Sequence, residues 1–345
     1  MSSPILSVRN LKVEFPTRRA RLVALDDISF DIMPGEVLGM VGESGAGKSV
    51  TGAAIVGLLE PPGRISGGEI LLSGTRIDNL RPAAMRRIRG KRIGMVFQDP
   101  LTSLDPLYTI GEQLTETIAT HSTLSGAALR ARAIELLSEV GLPAPERRLD
   151  NYPHQFSGGM RQRVVLALAL AANPELIIAD EPTTALDVSV QAQILNLLLD
   201  LRREFKLSYV LVSHNLSVVE HMATQVAVMY LGRIVELDDA ERLFRNPRHP
   251  YTKVLLRSAM TIAPRAGIPN VRLGGAIPNP AALPSGCRFH PRCPEALPIC
   301  SRVDPPRDGE GECFAECHLV TAAESTATNV VPNATSAVNP APTTA

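Results

Sequence analysis

Apolar and polar residues alternate at the start of the chain, and the period then changes several times along it. Leu6-Ser7-Val8-Arg9 and Leu11-Lys12-Val13-Glu14-Phe15 put apolar side chains at every second position and predict two half-buried strands. Ala24-Leu25-Asp26-Asp27-Ile28-Ser29-Phe30 leads into a Pro34-Gly35 turn. Val37 to Val41 then reads as a short buried parallel strand, and Val50 to Leu59 as a helix. From about residue 99 to 155 the pattern is helical: Leu129, Ala133, Leu136 or Leu137, and Val140 share one face, and Gly141 supplies a stop. Residues 156 to 245 return to alternating helix and strand, with apolar strands at 176–179 and 209–213. This order predicts an α/β fold. Past Pro247 the chain is rich in Pro, Gly and Cys. Residues 321–345 are mostly Ala, Thr, Ser, Asn and Pro with one charge, Glu324, and are expected to be disordered because they bury too little to offset ordering entropy. No internal repeat is present.

Composition narrows the partners. The 345 residues carry 35 Lys and Arg against 35 Asp and Glu, so no global field draws nucleic acid or an anionic membrane. The basic run Arg86-Arg87-Ile88-Arg89-Gly90-Lys91-Arg92 reads as a solvated helix-to-strand connection. No apolar run approaches the roughly 18 residues needed to span a bilayer; Val164 to Ala172, Ala-rich, suits a buried helix. The first residues lack the charged and apolar regions of a signal peptide, and all five cysteines follow residue 286, which argues against a secreted disulfide scaffold. The expected compartment is the cytosol.

Chemistry concentrates in three places. Gly42-Glu43-Ser44-Gly45-Ala46-Gly47-Lys48-Ser49 matches G-x-x-x-x-G-K-[ST] between the strand and the helix that such a match requires. Backbone N–H groups and a helix N-terminus there point at a phosphate chain, Lys48 reaches its outer phosphates, and Ser49 offers a hydroxyl to Mg²⁺. The strand at 176–179 ends in Asp180-Glu181, which can supply a metal anchor and a carboxylate that orients water. Phe156-Ser157-Gly158-Gly159-Met160-Arg161-Gln162-Arg163 is a second anion site at a helix start.

With these residues in this order, the sequence resembles the ATP-binding cassette ATPases over residues 5 to about 245. The resemblance implies a P-loop NTPase cassette over 1–245: a RecA-like core, an antiparallel β subdomain and a helical subdomain at about 99–155. It places Ser157, Gly158 and Gly159 in the signature loop that serves the ATP of a head-to-tail partner. Gln98 matches the glutamine that senses Mg²⁺ and water and faces the membrane partner, and His214 the histidine that contacts the γ-phosphate. Ala185-Leu186-Asp187 matches a dimer-contact loop, and Phe15 the aromatic that stacks on adenine. Ala46, Asn215 and Phe156 depart from common family residues without removing a catalytic group.

Met160, Thr183 to Val188, Asn246 to Thr252 and the block from Ile277 to Cys317 resemble the dipeptide and oligopeptide importer branch. That implies an extension over 246–320, a non-identical ATPase partner, two transmembrane permeases, an extracytoplasmic binding protein, and a place on the cytoplasmic face of the membrane. No nucleic acid is expected. Nickel and glutathione importers share much of the pattern. A soluble cassette ATPase is the other reading, although one cassette and the short spacing from Gln98 to Ser157 argue against it. Cys287, Cys293, Cys300 and Cys317 match the branch's cysteine block, for which the family implies a [4Fe–4S] cluster. A Zn²⁺ site and unligated thiols stay open, and Cys313 is read as a bystander.

Overall fold

The structure, a computed structural model, describes residues 3–17, 21–184, 186–259, 275–309 and 313–320. Ala185 and the tail expected to be disordered, 321–345, lie outside the described residues.

The early alternation folds as two long strands, Leu6–Pro16 (β1) and Arg21–Ile32 (β2), paired antiparallel. After Val37–Val41 (β3) the chain returns as Arg64–Leu72 (β4) and Thr75–Arg76 (β5), giving a four-stranded sheet in the order β2-β1-β4-β5. The second sheet adds Ile93–Val96 (β6), Leu176–Asp180 (β7), Ser208–Val212 (β8), Gln225–Tyr230 (β9) and Arg233–Asp239 (β10). Two short strands of the C-terminal region, Arg307–Asp308 (β11) and Phe314–Glu316 (β12), complete it in the order β11-β12-β10-β9-β3-β8-β7-β6. The centre is parallel: β3 lies between β8 and β9, and β7 between β6 and β8. β10 and β12 pair antiparallel at one side, with Glu236 opposite Ala315 and Leu237 opposite Phe314.

Side-chain alternation in these strands divides the core into two layers. Val37, Val41, Ile177, Ala179, Tyr209 and Leu211 face the helical segment, among them the buried residues of Ile110–His121, Ala127–Glu139 and Gly158–Leu170. Leu38, Met40, Leu176, Ile178, Val210 and Val212 face the antiparallel sheet and the Lys48–Ile55 helix. Each such aliphatic side chain contributes about 1.5–3 kcal/mol by leaving water, so a period of two in one strand stabilises two neighbouring layers at once. The central strands are buried on both faces, which is why they read as unbroken apolar runs.

Several local expectations correspond to the observed elements. The basic run closes the Pro82–Ile88 helix and enters β6, with Arg89 donating to the Val56 and Gly57 carbonyls at 2.7 and 2.5 Å. The Val164–Ala172 run lies mostly in a helix buried on nearly all sides. The helix predicted at 50–59 is shorter and earlier, Lys48–Ile55. Gly57 has φ +64° and ends it: its N–H bonds the Ala54 carbonyl and the Leu58 N–H bonds that of Ala53. β4 and β5 were not anticipated. Among the described residues, no helix is long and apolar enough to cross a membrane.

Candidate nucleotide site

β3 delivers the chain to a loop that only glycine can trace at its tightest point. Gly42 has φ +150°, and a Cβ there would sit 2.2 Å from the Met229 carbonyl oxygen. Gly47, at φ +105°, occupies the cap position of the Lys48–Ile55 helix, which has no capping side chain and no acidic residue in its first turn. Its first N–H groups therefore stay open to an anion. The Lys48 ammonium folds over the loop and donates to the Gly42 and Glu43 carbonyls at 2.8 and 3.1 Å. Burial pulls its pKa down, while Glu181, Asp180 and Glu43 pull it up without cancelling the effect. A phosphate chain would supply the counter-charge this lysine lacks.

β7 brings the two acids beside the loop. The Ser49 hydroxyl donates to Asp180 Oδ1 at 3.0 Å. Burial raises the Asp180 pKa; the Ser49 hydrogen bond opposes this, while the Glu181 charge adds to it, and the net shift is upward. A carboxylate that is costly to ionise and a hydroxyl in contact with it fit a divalent cation, whose charge would remove that cost. Glu181 leaves the strand at φ +49°, in the left-handed region, where a non-glycine residue costs of order 1–3 kcal/mol. Its N–H donates to the Val212 carbonyl at 2.9 Å. One carboxylate oxygen meets His214 Nδ1 at 3.0 Å; the other accepts from Gln98 Nε2 at 2.9 Å and Thr184 Oγ1 at 2.8 Å. Burial works against the charge, yet the hydrogen bonds from His214 and Thr184 outweigh it, and Lys48 assists. The carboxyl is held below its usual range, ionised, and aimed by three partners.

These groups line a cleft of about 610 Å³, within the range of small-molecule sites. Its wall takes in Ser44, Gly45, Gly47, Lys48 and Ser49 of the loop, together with Gln98, Glu181 and His214. Phe15 and Leu22 stand at its apolar end, joined by Pro280 and Leu283 from the C-terminal region. Gly42, Glu43 and Ala46 shape the loop without lining the cleft, and Asp180 reaches it through Ser49. Ser157, Gly158 and Gly159 lie away from it. Ser157 caps the Gly158–Leu170 helix by accepting the Met160 N–H at 3.4 Å, and Ser157 and Gly158 are exposed. A Cβ on Gly159 would come within 2.5 Å of Val190 Cγ1.

All five cysteines are free thiols. Cys287 feels the charges of Cys293, Cys300 and Cys317, and its N–H donates to the Cys300 carbonyl at 2.9 Å. Burial, with the neighbouring thiols, pushes Cys287 up to about 11 and also raises Cys293 and Cys317. Cys313 faces Asp238 instead. Among the described residues, no three His, Cys, Asp or Glu side chains converge as a ready metal site.

Sequence reasoning missed several groups at the site. Thr184 lies within the Thr183 to Val188 motif, where nothing local marks its hydroxyl as a partner of Glu181. Tyr251, Pro280, Leu283 and Arg292 lie 37 to 78 residues beyond His214, and no local spacing announces them. The comparisons with known proteins agree with the geometry. Residues 25–184 match the family model described as ABC transporter, and residues 235–300 the one described as oligopeptide/dipeptide transporter, C-terminal region. The chain is 45% identical over 315 residues to the dipeptide transport ATP-binding protein DppD of Haemophilus influenzae, covering 91% of this chain and 95% of that protein. It is 46% identical over 303 residues to the oligopeptide transport ATP-binding protein OppD of Bacillus subtilis, covering 88% and 85%. Among solved structures it is similar to the dimeric post-hydrolysis state of the ATP-binding cassette MJ0796 bound to ADP and Pi. The TM-score there is 0.61 at 30% identity, over 68% of this chain and 98% of that one. The chain belongs to the ATP-binding cassette ATPases of the dipeptide and oligopeptide transporter family, ATP hydrolases coupled to transport.

Proposed function

We propose that this chain is the ATP-hydrolysing subunit that energises import of di- and oligopeptides across the cytoplasmic membrane. The observation that carries the reading is the continuation of similarity beyond the cassette, through residues 235–300, into relatives named for dipeptide and oligopeptide transport. The cassette is assigned to 1–245, with its helical subdomain at about 99–155, and the extension to 246–320.

In this reading Gly42 to Ser49 wrap the phosphates, Lys48 exchanges the Gly42 and Glu43 carbonyls for phosphate oxygens, and Phe15 stacks on the base. Ser49, Gln98 and Asp180 hold Mg²⁺, which when bound neutralises charge on the phosphates. Glu181 accepts a proton from the attacking water while His214 fixes its orientation. Ser157, Gly158 and Gly159 contact the ATP of a non-identical ATPase partner; the exposure of Ser157 and Gly158 away from the chain's own cleft supports this. Phe97, Leu101, Leu107 and Tyr108, exposed apolar residues around and after Gln98, suit contact with one of two membrane permeases fed by an extracytoplasmic binding protein. In this reading the chain works at the cytoplasmic face of the membrane.

Cys287, Cys293, Cys300 and Cys317 are read as ligands of a [4Fe–4S] cluster, with Zn²⁺ as the alternative. They fit in number and neighbourhood, and ligation would offset the cost of burying thiolates together; convergence onto a ligand would have to accompany binding. Iron, sulfide and zinc analysis of anaerobically purified protein decides between them.

The function is tested by deleting the gene and measuring uptake of labelled dipeptides, longer peptides, glutathione and nickel. Peptide uptake should fall and return with the wild-type gene but not with Glu181→Gln. Loss of nickel or glutathione uptake alone would remove the peptide assignment.

A further inference from the structure

The extension grips the phosphate loop from outside the cassette. Both ends of Glu43, the residue after the tightest glycine, are held by it. The Arg292 guanidinium forms a two-pronged pair with the Glu43 carboxylate, Nη1 to Oε2 at 2.6 Å and Nη2 to Oε1 at 2.9 Å. The Glu43 N–H donates to the Tyr251 hydroxyl at 3.0 Å. Arg292 is 4% exposed in its side chain, donates to the Tyr230 hydroxyl at 3.3 Å and lies over that ring. Tyr230, Tyr251 and Phe289 pack with ring centroids 4.8 to 5.3 Å apart, so the clamp rests on a rigid aromatic block. Pro280 and Leu283 of the same extension close the apolar end of the cleft.

We propose that Arg292 is a positioning residue for the nucleotide: by clamping Glu43 it holds the phosphate loop in its binding shape, which makes the extension a component of the nucleotide site. The physical need is plain. A loop with glycines at 42, 45 and 47 in left-handed or otherwise glycine-only conformations loses more conformational freedom on ordering than any other kind of segment. A planar bidentate pair from a rigid block removes that cost before the ligand arrives. Glu43 also presents one of the two carbonyls that hold Lys48, the other being that of Gly42 just before it, so releasing Glu43 loosens the loop and its cation together. The inference rests on the nucleotide reading of the cleft.

The test is equilibrium binding of fluorescent MgADP to the purified full chain, with ATPase KM and kcat measured in parallel. Arg292→Ala and Glu43→Ala should each raise the MgADP Kd on the order of tenfold, within the usual span of coupling between sites. The double variant should be no worse than the weaker single. KM should rise more than kcat falls, and Arg292→Lys, which keeps charge without the fork, should recover only part of the affinity. Wild-type Kd in Arg292→Ala, or two single effects that multiply in the double variant, would overturn the proposal. If Arg292→Ala does not fold, Glu43→Gln reads the same clamp from the loop side, and an unchanged Kd there is equally fatal. Lys48→Ala separates the two failures. If it binds MgADP normally, the nucleotide reading falls with the inference; if it loses binding while Arg292→Ala does not, only the inference falls.

Discussion

Replacing Glu181 by Gln removes a charge while leaving nearly every contact available, and the structure sets the expected size of the effect. In the wild type, one carboxylate oxygen faces His214 Nδ1 and the other faces Gln98 Nε2 and Thr184 Oγ1. A glutamine that keeps its oxygen toward Gln98 and Thr184 turns its amide toward His214, whose ring nitrogen can accept in its other tautomer. The positive φ at 181 suits Gln no worse than Glu. The structural loss is therefore the charge assistance of a few hydrogen bonds, about 1 kcal/mol, and ATP affinity should stay within several-fold. Proton acceptance is lost altogether. General base catalysis contributes about 10²- to 10⁴-fold, so turnover should fall by that factor, about 3–5 kcal/mol at about 1.4 kcal/mol per decade. The assay is single-turnover hydrolysis of labelled ATP by the reconstituted transporter, with ATP binding measured on the same preparation. Turnover within tenfold of wild type would refute the role of Glu181. So would a loss of affinity as large as the loss of turnover, because Glu181 would then act through binding.

Gly42→Ala should cut turnover about 100-fold. Its Cβ would stand 2.2 Å from the Met229 carbonyl, so the loop must shift by roughly 1 Å, and a steady-state rate near wild type would contradict that packing. His249 is fully buried, and desolvation, helped by Lys253, holds its pKa at about 3. The unfolded chain takes up this proton below about pH 6.5 and the native chain only near 3, so stability is whole above 6.5 and is lost as pH falls toward 3. Between pH 7 and 5 the loss is about 2 kcal/mol by this linkage. His249→Asn retains an acceptor for the Tyr251 N–H, now held by Nδ1 at 3.0 Å, and should show a correspondingly flatter decline in urea midpoint; parallel declines would rule the effect out.

Legibility in the sequence followed locality. The phosphate loop is contiguous, its glycines are demanded by its own backbone, and the flanking strand is buried on both faces, so pattern and motif coincide. Asp180 and Glu181 were readable for the same reason, as acids ending an apolar strand. β4 was missed because its Ile65-Ser66-Gly67-Gly68 start breaks the alternation, and β1 specifies its pairing instead. The helix boundary at Ile55 is set by the left-handed Gly57, a signal present in the sequence but overridden by the apolar run beyond it. The Arg292–Glu43 pair spans 249 residues. No periodicity or spacing encodes such a contact; only the three-dimensional return of the extension to the cassette creates it. His214 illustrates the intermediate case: a lone histidine after an apolar strand carried meaning through its order among the motifs, and the hydrogen bond to Glu181 gives that order a physical basis.

The pairing of β12 with β10 has a consequence for biosynthesis. Leu237 has no strand beside it on that flank until Phe314 has been made, about 77 residues later. At roughly 5–20 residues per second, the growing polypeptide carries an open sheet edge for about 4 to 15 s. Such an edge is a template for wrong pairing with another nascent chain. Glu236, a charged side chain in that strand that ends up buried beneath the Arg248 and His249 N–H groups, discourages it during the interval. The same residue thus guards the unfinished molecule and later anchors the finished one.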